Sequence, residues 1–320
     1  MNRAQSITHR LVPAALLAVA LGLFASAVRA DVPPTAPQVL ELGKGPTIVI
    51  VHSLGGSRMT WMPTVKRLMG SYHVVLADLP GHGQSPLPDP FTLDAVAQAL
   101  DLLLARQNPD STVLVGHGLG GQLLVLDLKS HPQRARGLVL LDTGLKSPVK
   151  IEDSEQIKWF SQILDERYDD FMKMYYAQAG RDSAEGVRIR AMGMQTPPAS
   201  MKAYLRALFT SDAGSAFASL RIPVLFIGTD RLFKERMQAS SLSTRPGYAD
   251  SVAARTHGKP PEEPKERDWA TLGKDLGYPD PAAVPLWRIK DSGSLVMQDQ
   301  PDSLAAVISR FAAKVLGTKK

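Results

Sequence analysis

Residues 112–121 read Thr-Val-Leu-Val-Gly-His-Gly-Leu-Gly-Gly, and an apolar helical pattern runs on over 119–130. An apolar run that feeds a glycine-rich turn and then a helix is half of a strand–helix–strand unit, whose strand is buried on both faces. The same alternation recurs elsewhere in the chain. Thr47 to Val51 is a β-branched run, Thr-Ile-Val-Ile-Val, that reads as a buried strand. A loop follows at 52–57, then a helix with Trp61, Val65 and Leu68 on one side. Tyr72 to Ala77 is the next strand, and Thr92 is placed to cap a helix carrying Leu93, Val96, Ala97, Leu100, Leu103 and Leu104 at 3.6-residue spacing. Strand 137–141 ends at Asp142. This order predicts an α/β fold, a mostly parallel central sheet flanked by helices.

The alternation stops over 150–215, which reads as helices without strands and holds Trp159, Phe160, Tyr168, Phe171, Tyr175, Tyr176 and Tyr204. The sheet is expected to resume at Pro223 to Ile227. Residues 235–280 read as polar and loop-like. Ala283 to Ile289 is the last expected strand, and Leu304, Val307, Ile308, Phe311 and Val315 mark a final helix.

Two segments bear on location and partners. Arg3 and Arg10 precede an apolar run from Leu11 to Val28, and Val28-Arg29-Ala30 is a small-residue cleavage site of the A-x-A kind. Residues 1–30 are therefore expected to be a secretory signal cleaved after Ala30, leaving a periplasmic or secreted protein over 31–320 with no membrane span; the competing expectation is an uncleaved anchor. Setting aside Arg3, Arg10 and Arg29 leaves 34 basic against 31 acidic residues, too even a balance for a nucleic-acid partner. The chain has no cysteine, so no thiol serves as nucleophile or ligand. The histidines at 52, 73, 82, 117, 131 and 257 show no metal-ligand spacing, and no metal or cofactor is expected.

The turn at 116–121 fits two chemistries. Gly116, Gly118 and Gly121 match the G-x-G-x-x-G dinucleotide fingerprint. That fingerprint normally opens its domain and has an acid about 20 residues on. Here two strand–helix units precede it, and Asp142 lies 26 residues after Gly116. With a serine in place of Gly118 the string would instead be a G-x-S-x-G nucleophile elbow.

The flanking strings favour the second chemistry. His52-Ser53-Leu54-Gly55-Gly56-Ser57 followed by Trp61 resembles the H-G-x-x-G oxyanion loop of the α/β-hydrolase superfamily, with Ser53 at the usual second-position glycine. Asp78-Leu79-Pro80-Gly81-His82-Gly83-Gln84-Ser85 is similar to its D-x-P-G-H-G-x-S turn, and Gly116–Gly121 is similar to its G-H-S-x-G-G elbow with the serine replaced. The resemblance spans about residues 40–316 and is to the esterase, lipase and dehalogenase-like branch, with a helical cap at about 145–220.

The resemblance implies a serine nucleophile, a histidine base and an orienting acid, with two backbone N–H groups holding the oxyanion. Carried over, the nucleophile position is Gly118 and the acid position is Asp230, with Asp142 as alternative. The histidine position is Ser294, within Gly293-Ser294-Leu295-Val296-Met297. The oxyanion donors are the N–H groups of Leu54 and Leu119. His52, Ser53 and His117 are expected to line the pocket, chiefly as packing and polar lining, since none has a nucleophile–base partner. His257 is a solvated loop residue or, alternatively, a displaced base paired with Asp230. The expectation is a hydrolase-fold protein with a degenerate triad that holds a small apolar, ester-like ligand. The alternatives are an active hydrolase using a non-standard site and a dinucleotide-binding protein.

Overall fold

The computed structural model describes residues 36–146, 154–177, 180, 182–208, 210–234 and 266–318. The expected signal segment and His257 lie outside them.

In chain order the elements are β1 (Val39–Leu42), β2 (Thr47–Val51), α1 (Met62–Leu68), β3 (His73–Ala77), α2 (Leu93–Leu104), β4 (Thr112–His117), α3 (Leu119–Ser130) and β5 (Gly137–Leu141). Helices α4 (Ser154–Glu166), α5 (Tyr168–Ala177), α6 (Ser183–Gly193), α7 (Pro198–Leu208) and α8 (Gly214–Ala218) follow. The chain then returns to the sheet with β6 (Val224–Thr229), α9 (Asp230–Phe233), α10 (Trp269–Asp275), β7 (Leu286–Ile289), α11 (Val296–Asp299) and α12 (Pro301–Leu316). The strands form one sheet in the order β1-β3-β2-β4-β5-β6-β7. From β3 to β7 all pairings are parallel, and β1 closes one edge antiparallel to β3.

Side chains alternate across this sheet. Ile48, Ile50, Val74, Leu76, Val113, Val115, Val139 and Leu141 bury on one face against Val65 and Leu68 of α1 and Leu304, Val307 and Ile308 of α12. Val49, Val51, Val75, Leu114, Leu138 and Leu140 bury on the other against α2 and α3. A strand buried on both faces needs β-branched or leucine residues throughout, which is why these strands are unbroken apolar runs. Burying each such side chain stabilises the fold by about 1.5–3 kcal/mol. Thr92 caps α2 as expected, its hydroxyl accepting from the Ala95 N–H at 3.0 Å.

Three boundaries differ from expectation. The short edge strand β1 carries no clear pattern and was not foreseen. The last strand begins at Leu286, because residues 281–283 form a 3-10 turn and Pro281 and Pro285 have no N–H to give a ladder. Part of the polar stretch 235–280 is helical: Asp268 caps α10 by accepting from the Thr271 N–H, and Trp269 packs on Phe226 with ring centroids 4.4 Å apart.

Candidate active site

The C-terminal ends of the parallel strands, where ligands bind in open α/β sheets, carry the candidate residues. Strand β4 runs into Gly118, whose backbone has φ +49° and ψ −115°. That conformation is costly for a residue with a side chain. The Gly118 N–H is fixed on the Leu141 carbonyl at 2.9 Å. The chain therefore turns sharply between β4 and α3 at a residue that has no side chain.

The space above Gly118 is occupied. A Cβ placed on Gly118 would lie 2.4 Å from Ser53 Oγ and 3.2 Å from Ser53 Cβ. Ser53 belongs to the loop after β2, which two histidines hold. His52 Nε2 accepts from the Leu79 N–H at 3.0 Å, so its proton sits on Nδ1 and is donated to the Ser53 carbonyl at 2.8 Å. His82 Nε2 accepts from the Gly55 N–H at 3.2 Å, and its Nδ1 faces the Pro80 carbonyl at 3.4 Å. Burial, reinforced by the nearby His52 ring, lowers the His82 pKa to about 3 despite its hydrogen bond to Pro80. Burial likewise depresses His52, against its bond to Ser53 and the charge of Asp78. Both rings are neutral struts for the loop.

Ser53, Leu54, His117, Gly118, Leu119, Asp142 and Ser294 line one cavity of about 390 Å³. His52 was expected to line it and does not, because its ring is buried behind the loop. The far wall comes from the helices between β5 and β6, with Phe171, Tyr175, Tyr176, Ile189, Met192, Leu205 and Leu208. The N–H groups of Leu54 and Leu119 have no acceptor among the described residues. Burial, with His52 and Arg231 nearby, lowers the His117 pKa to about 3, which leaves it a weak base.

The two candidate acids lie in different places. Asp230 is absent from the cavity lining; Oδ1 accepts from Arg288 Nε at 2.7 Å, Oδ2 accepts from the Asp291 N–H at 3.0 Å, and Lys234 Nζ lies 3.4 Å away. Burial opposes its ionisation, but these three partners together hold its carboxyl below the usual carboxylate value. Asp142 does line the cavity. It has φ +43°, uncommon for a residue with a side chain. Its carboxylate accepts from the Thr229 N–H at 2.8 Å and the Thr229 hydroxyl at 2.6 Å. Burial raises its pKa against these bonds and the charge of Arg231.

Two contributors were not apparent in the sequence. Arg231 lines the cavity beside Asp142, and its one signal was adjacency to Asp230. Glu185 of α6 is buried and accepts from the Leu295 N–H at 2.9 Å, so an inserted helix clamps the loop that holds Ser294. Among the described residues, the one acid–histidine cluster compact enough for a metal is Asp101, Asp127 and His131. None of the three lines the cavity, and the Arg134 guanidinium already pairs with Asp101 and lies 3.7 Å from Asp127.

A pimeloyl-[acyl-carrier protein] methyl ester esterase of Chromobacterium violaceum is 29% identical over 205 residues, 59% of this chain and 78% of that protein. The esterase of the same name from Pseudoalteromonas atlantica is 27% identical over 238 residues, 70% of this chain and 88% of that protein. Among solved structures, a hydrolase from Oleispira antarctica superposes with a TM-score of 0.65 at 14% identity, covering 87% of this chain and 95% of that one. The enol-lactonase of Burkholderia xenovorans gives 0.60 at 17% identity, over 86% and 95%. The alpha/beta hydrolase family model matches residues 48–307, from β2 to within α12. The chain is a member of the alpha/beta hydrolase family.

Proposed function

We propose that this protein has left ordinary serine hydrolysis and uses the family cavity to hold a small, largely apolar ester or acid. The observation that carries this reading is the exchange at the elbow. Gly118 has no side chain to attack an acyl carbon, and the Ser53 side chain fills the space in which one would start. The family's histidine position holds Ser294, and His117, the histidine that does line the cavity, is held neutral and weakly basic. A serine hydroxyl without a base is a poor nucleophile at neutral pH. The cavity itself has the volume of a small-molecule site and walls of leucine, methionine and aromatic residues, which suit an acyl chain. The names of the relatives, methyl ester esterases, support ester or acid chemistry for the ligand. The reading includes export, with residues 1–30 removed as a signal, which N-terminal sequencing of the mature protein checks.

The experiment is hydrolysis of p-nitrophenyl butyrate by the wild-type protein. The reading predicts no turnover approaching the 1–10³ s⁻¹ of an ordinary enzyme, roughly the range of typical kcat values. A turnover in that range overturns it.

A further inference from the structure

The residue that fills the nucleophile's place is itself a serine, and its setting mirrors the one that was lost. In the family's elbow the nucleophile at position 118 directly precedes Leu119, whose N–H is one oxyanion donor. Ser53 directly precedes Leu54, whose N–H is the other. The two positions face each other across the cavity floor, with Ser53 Oγ 2.4 Å from the Cβ point of Gly118. The Ser53 hydroxyl thus stands beside the place where a side chain at position 118 would begin.

The donor set indicates what it holds. The N–H groups of Leu54 and Leu119 have no acceptor among the described residues, and the Ser53 hydroxyl likewise has no hydrogen-bond partner there. Leu54 and Leu119 directly follow the two facing residues and line the same cavity; three donors in that stretch of wall suit an ionised carboxylate, which accepts only and offers about four lone-pair sites over two oxygens. A neutral ester carbonyl offers one oxygen and two lone pairs, so it fills the set less well. Hydrogen bonds to an ionised acceptor are also roughly twice as strong as neutral ones. The charges on the wall do not oppose this. Arg231 and Lys146 line the cavity together with Asp142 and Asp275; the Asp142 carboxylate is directed at Thr229 and that of Asp275 is paired with Arg267. The remaining wall is apolar and takes a hydrocarbon tail.

We propose that Ser53 is the head-group residue of this cavity, its hydroxyl and the N–H groups of Leu54 and Leu119 together holding the carboxylate of a small apolar monocarboxylic acid. The proposal rests on the reading of the cavity as a ligand site, and it fixes which chemical form the site prefers.

The test is calorimetric titration of the full chain with octanoate and with methyl octanoate, for wild type and S53A, with S53G as a second variant and circular dichroism to check folding. Wild type is expected to bind octanoate about tenfold or more tighter than the methyl ester. Both variants should lose about tenfold in octanoate affinity while the methyl ester changes much less, the loss expected for one hydrogen bond to a charged group. Equal or tighter binding of the methyl ester, or octanoate binding unchanged in folded S53A and S53G, overturns the role of Ser53 and leaves the cavity reading standing. Binding of neither compound by wild type overturns both.

Discussion

The hydroxyl oxygen of Ser53 stands 2.4 Å from the point at which a side chain on Gly118 would begin. A side chain at position 118 would therefore require the Ser53 hydroxyl to turn away, and its Cβ would still lie 3.2 Å from Ser53 Cβ. Gly118→Ser alone should cost about 1–3 kcal/mol, from overlap with Ser53 and from the strained φ of +49°. The pair S53G/G118S removes the overlap and should recover part of the loss. Urea denaturation midpoints check this; a single G118S variant as stable as the pair would contradict the steric relationship.

The buried histidines make stability depend on pH. His82 and His117 have folded-state values of about 3 against 6.5 for a free histidine. Between those values the unfolded chain binds protons that the folded chain does not. Their contribution is therefore fully present above 6.5 and is lost as pH falls towards 3. Asp142, raised by burial, acts in the opposite direction near the acid end, since its contribution is lost as pH rises. H82Q keeps an acceptor for the Gly55 N–H and removes one titrating ring, so it should flatten the stability profile between about pH 4.5 and 6.5. A wild-type profile already flat there would sink the assignment.

Tyr176 joins the inserted helices to the oxyanion loop in a way that leaves its hydroxyl unsatisfied. The oxygen is buried without a hydrogen-bond partner among the described residues, 2.7 Å from the Cβ point of Gly55 and 1.8 Å from that of Gly193. A buried unpaired hydroxyl costs about 1–3 kcal/mol. Y176F is thus expected to hold or raise stability by about 1 kcal/mol, while G193A should lower it by about 1–3 kcal/mol by displacing the ring. A loss above about 1 kcal/mol in Y176F, measured by denaturant midpoint, would mean the hydroxyl has a partner that matters.

Asp142 ties the end of β5 to the end of β6 through its two bonds to Thr229. D142A leaves a buried N–H and hydroxyl unpaired and also places alanine at φ +43°, for an expected loss of about 2–4 kcal/mol. D142N retains an acceptor for the Thr229 N–H and tolerates positive φ better, so its loss should be nearer 1 kcal/mol. Equal losses in the two variants would show that the carboxylate bonds do not hold this junction.

Much of the fold could be read from the residues, because each central strand is an apolar run and each flanking helix carries a 3.6-residue stripe. The glycine turn and the string from Asp78 to Ser85 identified the family for the same reason: their backbone geometry admits few residue types. The site was less legible. Ser53 and Gly118 are 65 residues apart, and nothing in their local strings says that one side chain covers the other's place. Asp230 and Asp142 each follow a strand; Asp142 lines the cavity, while Asp230 is held by Arg288, a residue distant in sequence. Glu185 and Tyr176 lie in helices whose polar and aromatic residues read alike until packing distinguishes buried from exposed.

The proposed loss of serine hydrolysis rests on Gly118, Ser294 and the Ser53 hydroxyl beside the turn. The direct test compares hydrolysis of p-nitrophenyl butyrate by wild type and by S53G/G118S/S294H. Wild-type turnover is expected to stay well below the ~1–10³ s⁻¹ of an ordinary enzyme, and the triple variant to gain about 100-fold or more, the scale of a restored general base. Wild-type turnover at an ordinary enzymatic rate would contradict it.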